Sequence, residues 1–259
     1  MDIREITIHR ARDVDAALRS NKRVKLMLYV FFRQISKILK INENSLKSFI
    51  PGGRSTLKGY KFITRSKTID FLFFSRFYEP ETTKFLSKIK GGIFLDIGAH
   101  LGRMSIMMTD NFKEVYAFEP QPSTYKNFVK NIENNNLKNI HPFNIAVSDN
   151  EKKLRFLAAD INTGAAKVSE SGNLSVNAKT LDSIISKNKI NPAKVSAVKI
   201  DVEGHEKEVV AGAKDFLRKT NSPLIIECFH LENISKLLAS YGYSRKRSLD
   251  FHNHLFIKR

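Results

Sequence analysis

Cysteine is almost missing from this chain: Cys228 stands alone, so no intrachain disulfide and no cysteine-built zinc cluster can form. Long apolar runs are missing too, and none approaches the roughly 20 residues needed to span a bilayer. The opening Met1-Asp2-Ile3-Arg4-Glu5 lacks the basic-then-apolar order of a secretory signal. These absences predict a reducing, cytoplasmic setting. Acidic residues are scarce, with 26 Asp and Glu against 44 Lys and Arg and a formal charge of +18. The imbalance is uneven: residues 1–90 hold 20 basic against 8 acidic residues, and residues 91–259 hold 24 against 18. Such a surface attracts polyanions (RNA, anionic headgroups, acidic glycans) without selecting among them.

What is present suits a folded enzyme-sized domain. With 259 residues, 42% hydrophobic and 27% charged, the chain has room for one α/β domain plus an extension, and no internal repeat is visible. Three stretches follow: a basic helical extension over residues 1–50, a hairpin and helix over 51–90, and a catalytic domain over 91–259. In residues 21–40, Val24, Leu28, Phe31, Phe32, Ile35, Ile38 and Leu39 recur at helical spacing, with Lys25, Arg33, Lys37 and Lys40 elsewhere on the wheel. That basic amphipathic helix is expected to pack on the domain or a second subunit in preference to lying on an anionic membrane at its inner face, which the same pattern also allows. After Pro51-Gly52-Gly53, the runs Tyr60–Thr64 and Ile69–Phe73 read as a hairpin, and Glu79-Pro80-Glu81-Thr82 as a helix start.

From Gly91-Gly92 the pattern alternates. Strands are expected at Ile93–Ile97, Glu114–Phe118 and Ile140–Val147, with helices at Gly102–Asn111 and Ser123–Asn134 between them. Strand Val195–Ile200, helix Gly204–Arg218, strand Leu224–Cys228, helix Asn233–Tyr241 and two closing strands continue it. This βαβ rhythm predicts a Rossmann-like α/β fold on a parallel sheet. Short strands at Lys153–Ala158 and Leu174–Ala178 flank a polar insert at Thr163-Gly164, a place for a substrate loop.

Ligands of open α/β sheets bind at the carboxyl ends of the strands. Phe94-Leu95-Asp96-Ile97-Gly98-Ala99-His100-Leu101-Gly102 ends a strand on a carboxylate, then supplies small residues that admit a ligand to the backbone. A dinucleotide fingerprint would place glycine where His100 stands, so the spacing disfavours NAD. S-adenosylmethionine has no phosphate to cradle. Asp96 would face its ammonium group, with Gly98, Ala99, His100 and Gly102 around it. Glu119, in Phe118-Glu119-Pro120, would accept the ribose hydroxyls, and Ser148 and Asp149, closing the third strand, would read the adenine.

These residues carry a resemblance. The chain resembles the FkbM family of methyltransferases over residues 60–258, through Asp96-Ile97-Gly98-Ala99 with Gly102, Phe118-Glu119-Pro120, Ala146-Val147-Ser148-Asp149, and above all Val198-Lys199-Ile200-Asp201-Val202-Glu203-Gly204-His205-Glu206. Tyr78-Glu79-Pro80-Glu81-Thr82 and Thr180-Leu181-Asp182 are also similar. The resemblance implies a seven-stranded class I fold with a final antiparallel hairpin, S-adenosyl-L-methionine as donor with S-adenosylhomocysteine as product, and O-methylation of a sugar, glycolipid or natural product. His100 departs from it, since asparagine is more usual there. Residues 1–50 lie outside the match.

Methyl transfer from a sulfonium needs an in-line nucleophile, and a hydroxyl gains from a positioned base. Asp201, expected to point into the same crevice as Asp96 and to contact the cofactor, is the first candidate for base or substrate orienter and His205 the second, with Glu203 beside them at a helix start. Glu203 and Glu206 would equally serve as dipole-favoured caps. Asp201, Glu203, His205 and Glu206 could also form a Mg²⁺ site, but their spacing is common at helix starts, so no metal is expected. His252 and His254 on one strand face are a weak transition-metal signal and read first as ordinary strand-end polarity, while Glu227, Cys228 and His230 end the fifth strand near the substrate mouth, Cys228 as a small buried residue. The alternatives are an RNA 2′-O-methyltransferase, suggested by the charge but short of a second lysine beside Lys199, Asp201 and Glu203, and a scaffold that retains the fold without catalysis.

Overall fold

The computed structural model describes residues 3–38, 46, 48–159, 162–250 and 252–259. Two helices open it, α1 (Ile3–Leu18) and α2 (Arg23–Ile38). Leu39 and Lys40 of the expected helix lie outside the described residues. Ala16 and Ala17 let α1 approach closely, and Leu26, Tyr29 and Val30 of α2 pack with them against Ile50, Phe71 and Leu72. The helix is therefore packed, but not by the side the spacing suggested: Val24, Leu28, Phe31 and Phe32 are 69%, 52%, 59% and 45% exposed. Asn21 ties this layer to the next by accepting the Arg54 backbone N–H through its side chain. No helix among the described residues is long and apolar enough to cross a membrane.

A hairpin follows, β1 (Gly53–Leu57) with β2 (Tyr60–Thr64). It corrects the expected pairing of Tyr60–Thr64 with Ile69–Phe73. Lys58 and Gly59 both have positive φ, 50° and 85°, the geometry of a two-residue turn whose twist matches its strands. Asp70–Phe74 instead coils into a 3-10 turn. Asp70 is drawn inward there, where Arg65 donates to it through Nε, Nη2 and the backbone N–H. Helix α3 (Pro80–Leu86) leads into the core, with Pro80 in its first turn.

The core then runs β3 (Ile93–Ile97), α4 (Arg103–Met107), β4 (Glu114–Phe118), α5 (Pro122–Asn134), β5 (Ile140–Phe143), β6 (Ala146–Val147), β7 (Lys152–Leu157), β8 (Lys167–Val168), β9 (Leu174–Lys179), α6 (Leu181–Lys187), β10 (Val195–Ile200), α7 (Glu206–Ala211), α8 (Lys214–Lys219), β11 (Leu224–Glu227), α9 (Leu231–Ala239), β12 (Tyr243–Ser248) and β13 (Asn253–Lys258). Seven strands form the central sheet in the order β12-β13-β11-β10-β3-β4-β5. Pairing is parallel from β11 through β5, and β13 is antiparallel to both neighbours. Alternate residues of β3 serve two cores, Leu95 and Ile97 on one face and Phe94 on the other, as a sheet covered on both sides requires.

Two expected elements divide. The strand foreseen over Ile140–Val147 breaks after Phe143, and β6 joins a second sheet, β6-β9-β7-β8. The helix foreseen over Gly204–Arg218 breaks into α7 and α8 at Gly212, which lies against the Ser148 carbonyl so closely that a Cβ would fall 1.9 Å from its oxygen.

Candidate active site

Chain order reverses beside β3: β4 and β5 extend the sheet one way, and β10 and β11 the other. The loops leaving β3 and β10 consequently part, opening a crevice at their carboxyl ends. A cleft of about 340 Å³ occupies that place. Asp96, Gly98, Ala99, His100, Glu119, Asp201, Glu203 and His205 line it. Gly102, Ser148 and Asp149 do not. Gly102 instead lets α4 approach α5, since a Cβ there would lie 2.0 Å from the Phe128 ring. Ser148 is turned away because β6 has left the central sheet; its hydroxyl donates to Asp149, which also holds Lys152 at the surface. Ile145, Ala146, Val147 and Phe156 line the cleft on that side, an apolar wall where a polar adenine contact was expected.

Backbone geometry holds the glycine loop. Gly98 has φ of 90°, and a Cβ on it would lie 1.7 Å from the Asp201 carbonyl oxygen, so the loops after β3 and β10 touch only because this residue is glycine. The N–H groups of Gly98 and Ala99 both donate to the Phe118 carbonyl. Glu79, His100 and Glu203, all lining the cleft, hold left-handed backbones at φ of 46°, 52° and 53°. Such conformations cost on the order of 1–3 kcal/mol each and gather where structure is spent on function.

The acids are buried. Asp96 accepts from the Ser105 hydroxyl, and burial pushes its carboxyl up to about 6. Burial likewise takes Glu119 up to about 7, although one oxygen accepts the Gln121 N–H and the other the His100 N–H. Each of these oxygens keeps a further lone pair for a ligand. Asp201 accepts from Lys199 at 2.7 Å, and Lys199 also lies 3.2 Å from Glu79. Burial opposes the charge on that lysine, but Asp201, Glu79 and their neighbours prevail and hold it protonated. The charge of Asp201, together with burial, takes Glu227 up to about 9, and its carboxyl proton is bonded to Asp201. Glu203 is raised to about 7 by burial.

His205 is engaged from outside the cleft. Ser148 gives its only hydroxyl proton to Asp149, so it accepts from His205 Nε2, while Nδ1 lies 3.5 Å from Glu208. Glu206 accepts the Gly204 N–H and closes its own helix start. Asp201, Glu203, His205 and Glu206 do not converge as ligands. Among the described residues the grouping with ligand spacing is Glu79, Asp201 and Glu227, where Lys199 already supplies the cation. His254 accepts or donates at Ser248 through Nδ1, His252 lies against the Phe229 ring, and Cys228 is buried.

Sequence reasoning missed the layer over the loop. Thr163 donates to Asp70, and its hydroxyl therefore accepts from both Arg65 and His100 Nε2. With burial lowering its pKa to about 4, His100 is a neutral Nε2–H tautomer, clamped between Thr163 and the Phe73 ring. The turn-like Thr163-Gly164 was the one signal for this contact. Tyr78, Glu79 and Arg103 line the cleft as well, Arg103 donating to the Tyr78 carbonyl over the Tyr78 ring. Arg12 and Arg33 come to its wall from α1 and α2.

Sheet order, a single antiparallel strand beside the edge, and a cofactor-sized cleft at the switch point define a class I methyltransferase fold. Residues 96–245 match the Methyltransferase FkbM domain, and the chain belongs to that family. It is 26% identical over 134 residues to the hexuronic acid methyltransferase AglP of Haloferax volcanii, covering 51% of this chain and 54% of that protein. The chain thus spans about half the length of this curated relative. The FkbM methyltransferase structure from Methylobacillus flagellatus superposes with a TM-score of 0.51 at 14% identity, covering 98% of this chain and 59% of that one. The M. jannaschii TYW2 structure, determined in complex with AdoMet, gives 0.46 at 14% identity over 80% of this chain and 87% of that one. As a family member the chain takes S-adenosylmethionine as cofactor. The residues fit it: buried Asp96 suits an ammonium and Glu119 suits hydroxyl donors.

Proposed function

We propose that this protein transfers the methyl group of S-adenosylmethionine to a hydroxyl on a glycan, glycolipid or small molecule. Two buried acids, Asp96 and Glu119, facing one cleft across the Gly98 loop carry this reading. In it, Asp96 takes the ammonium, Glu119 the ribose hydroxyls, and the apolar wall of Ile145, Val147 and Phe156 the adenine. The family and the name of the Haloferax relative support a sugar-type acceptor. Asp201, which follows β10 and lines the same cleft, serves in this reading as the base for the acceptor hydroxyl. Bound S-adenosylmethionine would supply the methyl group, its C–S bond giving way to the new C–O bond as it became the neutral thioether S-adenosylhomocysteine, and Asp201 would take the hydroxyl proton. Lys199 and protonated Glu227 orient that carboxylate.

Calorimetric titration with S-adenosylhomocysteine, against NAD⁺ as control, tests the reading. Binding of the former alone, in the micromolar range or about −8 kcal/mol, and its loss in Glu119→Ala are expected. Absence of binding by folded protein would overturn it. With an acceptor in hand, Asp201→Asn should cut kcat at least tenfold while leaving S-adenosylhomocysteine affinity within twofold; unchanged kcat would assign the base elsewhere.

A further inference from the structure

Four large apolar side chains of α2 turn away from the body of the protein. Val24, Leu28 and Phe31 are each more than half exposed and Phe32 is 45% exposed, while Leu26, Tyr29 and Val30 fill the opposite side of the same helix. Lying four, seven and eight residues beyond Val24, the other three continue one stripe along the helix. The rings of Phe31 and Phe32 meet edge to face with centroids 5.7 Å apart. Val14 and Leu18, a helical turn apart on α1, are exposed as well. Single exposed apolar residues are ordinary, but a stripe of this length marks a surface that meets something.

Charge selects the occupant. The α2 sequence holds Arg23, Lys25, Arg33 and Lys37 and neither Asp nor Glu. At about 100° per residue, Arg23 and Lys25 fall on opposite flanks of the apolar stripe, and both are exposed. Their alkyl stems can lie along the apolar residues while the charged ends stay at the level of phosphate headgroups. Around the helix, residues 1–90 carry 20 basic residues against 8 acidic. A second copy of the chain fits this stripe poorly, because a twofold contact would set two acid-free basic helices against each other. A nucleic acid would engage the arginine and lysine but leave Val24 and Leu28, which offer no ring for base stacking, in water. An anionic lipid surface satisfies both halves of the pattern.

We propose that the outer face of α2 docks the protein on anionic membranes, with Val24, Leu28, Phe31 and Phe32 entering the boundary between headgroups and acyl chains and Arg23 and Lys25 meeting the headgroup phosphates. The contact is peripheral, since no helix among the described residues is long and apolar enough to cross a bilayer. Arg33, next to Phe32 in the chain, lines the cleft, so α2 stands between the lipid surface and the cleft wall. This surface lies outside residues 96–245 and does not depend on the reaction proposed for the cleft.

Co-sedimentation of the full chain with vesicles tests it, using phosphatidylcholine alone and phosphatidylcholine with about one third phosphatidylglycerol, at roughly 0.1 and 0.5 M salt. Binding to the anionic vesicles should be at least tenfold tighter than to the neutral ones and should weaken at the higher salt. Leu28→Gln with Phe31→Gln should lower the affinity for anionic vesicles at least tenfold, with Tm and S-adenosylhomocysteine affinity matching the wild type. Arg23→Gln with Lys25→Gln should lower it too and leave a smaller salt dependence. Equal binding to both kinds of vesicle, or binding to neither, overturns the proposal. So does binding to anionic vesicles that survives the Leu28 and Phe31 changes, which would trace it to the basic surface at large. A dimer in sedimentation velocity that those changes dissociate would give the stripe to a second copy, and single-stranded RNA bound through the same apolar residues would give it to nucleic acid. Either result overturns the membrane assignment.

Discussion

Burial sets the chemistry of single residues here. Asp96 and Glu119 are raised to about 6 and about 7 because the charged form loses its hydration, yet in the proposed reading an ammonium and ribose hydroxyls recognise the charged form. Ligand binding therefore expels protons. S-adenosylhomocysteine affinity should weaken as pH falls below about 7 and level off above it. Glu119→Gln should remove the upper part of this dependence and leave the part due to Asp96. Calorimetry in buffers of different ionisation enthalpy reads the released protons directly, and a flat affinity from about pH 5.5 to 8 would contradict the assignment. Glu227 runs the other way in stability. Its folded pKa of about 9 lies above its ordinary value, so the folded state favours the protonated form. Its contribution is complete below about pH 4.5 and is lost as pH rises toward 9. Thermal unfolding of Glu227→Gln across that window should show a shallower alkaline decline than the wild type.

At the scale of elements, α2 shows what periodicity can and cannot say. The spacing of Val24, Leu28, Phe31 and Phe32 identified a helix, but Leu26, Tyr29 and Val30 are the residues that meet the core. Both faces carry apolar side chains, and only the positions of Phe71 and Leu72 choose between them. Leu26→Ala should cost about 2–5 kcal/mol, whereas Leu28→Ala should stay within about 0.5 kcal/mol. Denaturant unfolding measures both, and the reverse order would put the opposite face inward. The hairpin teaches a related lesson: its turn lies at Lys58-Gly59 and not after Thr64, and Asp70 left the strand pattern because Arg65 and Thr163 hold it, and Thr163 lies far along the chain. Where β3 meets β10 the tolerance is smallest. Gly98→Ala would put a methyl group into the Asp201 carbonyl and force an alanine to a φ of 90°. It should abolish S-adenosylhomocysteine binding and lower Tm; retained affinity would mean the two loops are not in contact.

Across the whole molecule, α1 and α2 pack on the rest of the chain. Ala16, Ala17, Leu26, Tyr29 and Val30 cover Phe71 and Leu72, and the turn bearing those residues also holds Asp70 beneath Thr163 and His100. Removing residues 1–50 should lower Tm and increase binding of an apolar dye; an unchanged Tm would show that the catalytic domain is independent of them. The chain order of strands and helices, the acid at the end of β3, the glycine loop and Glu119 were legible in the sequence because periodicity, turn chemistry and strand-end acids act over a few neighbouring residues. Ser148 and Asp149 were read equally from their strand end, yet β6 changes sheets and carries them out of the cleft. Arg12, Arg33, Thr163 and Glu79 reach the cleft only after helices and strands far apart in sequence have packed. Local pattern determined the elements and the strand-end acids; which faces meet, and which distant charges share the cleft, depended on burial and long-range hydrogen bonds that exist only in the folded chain.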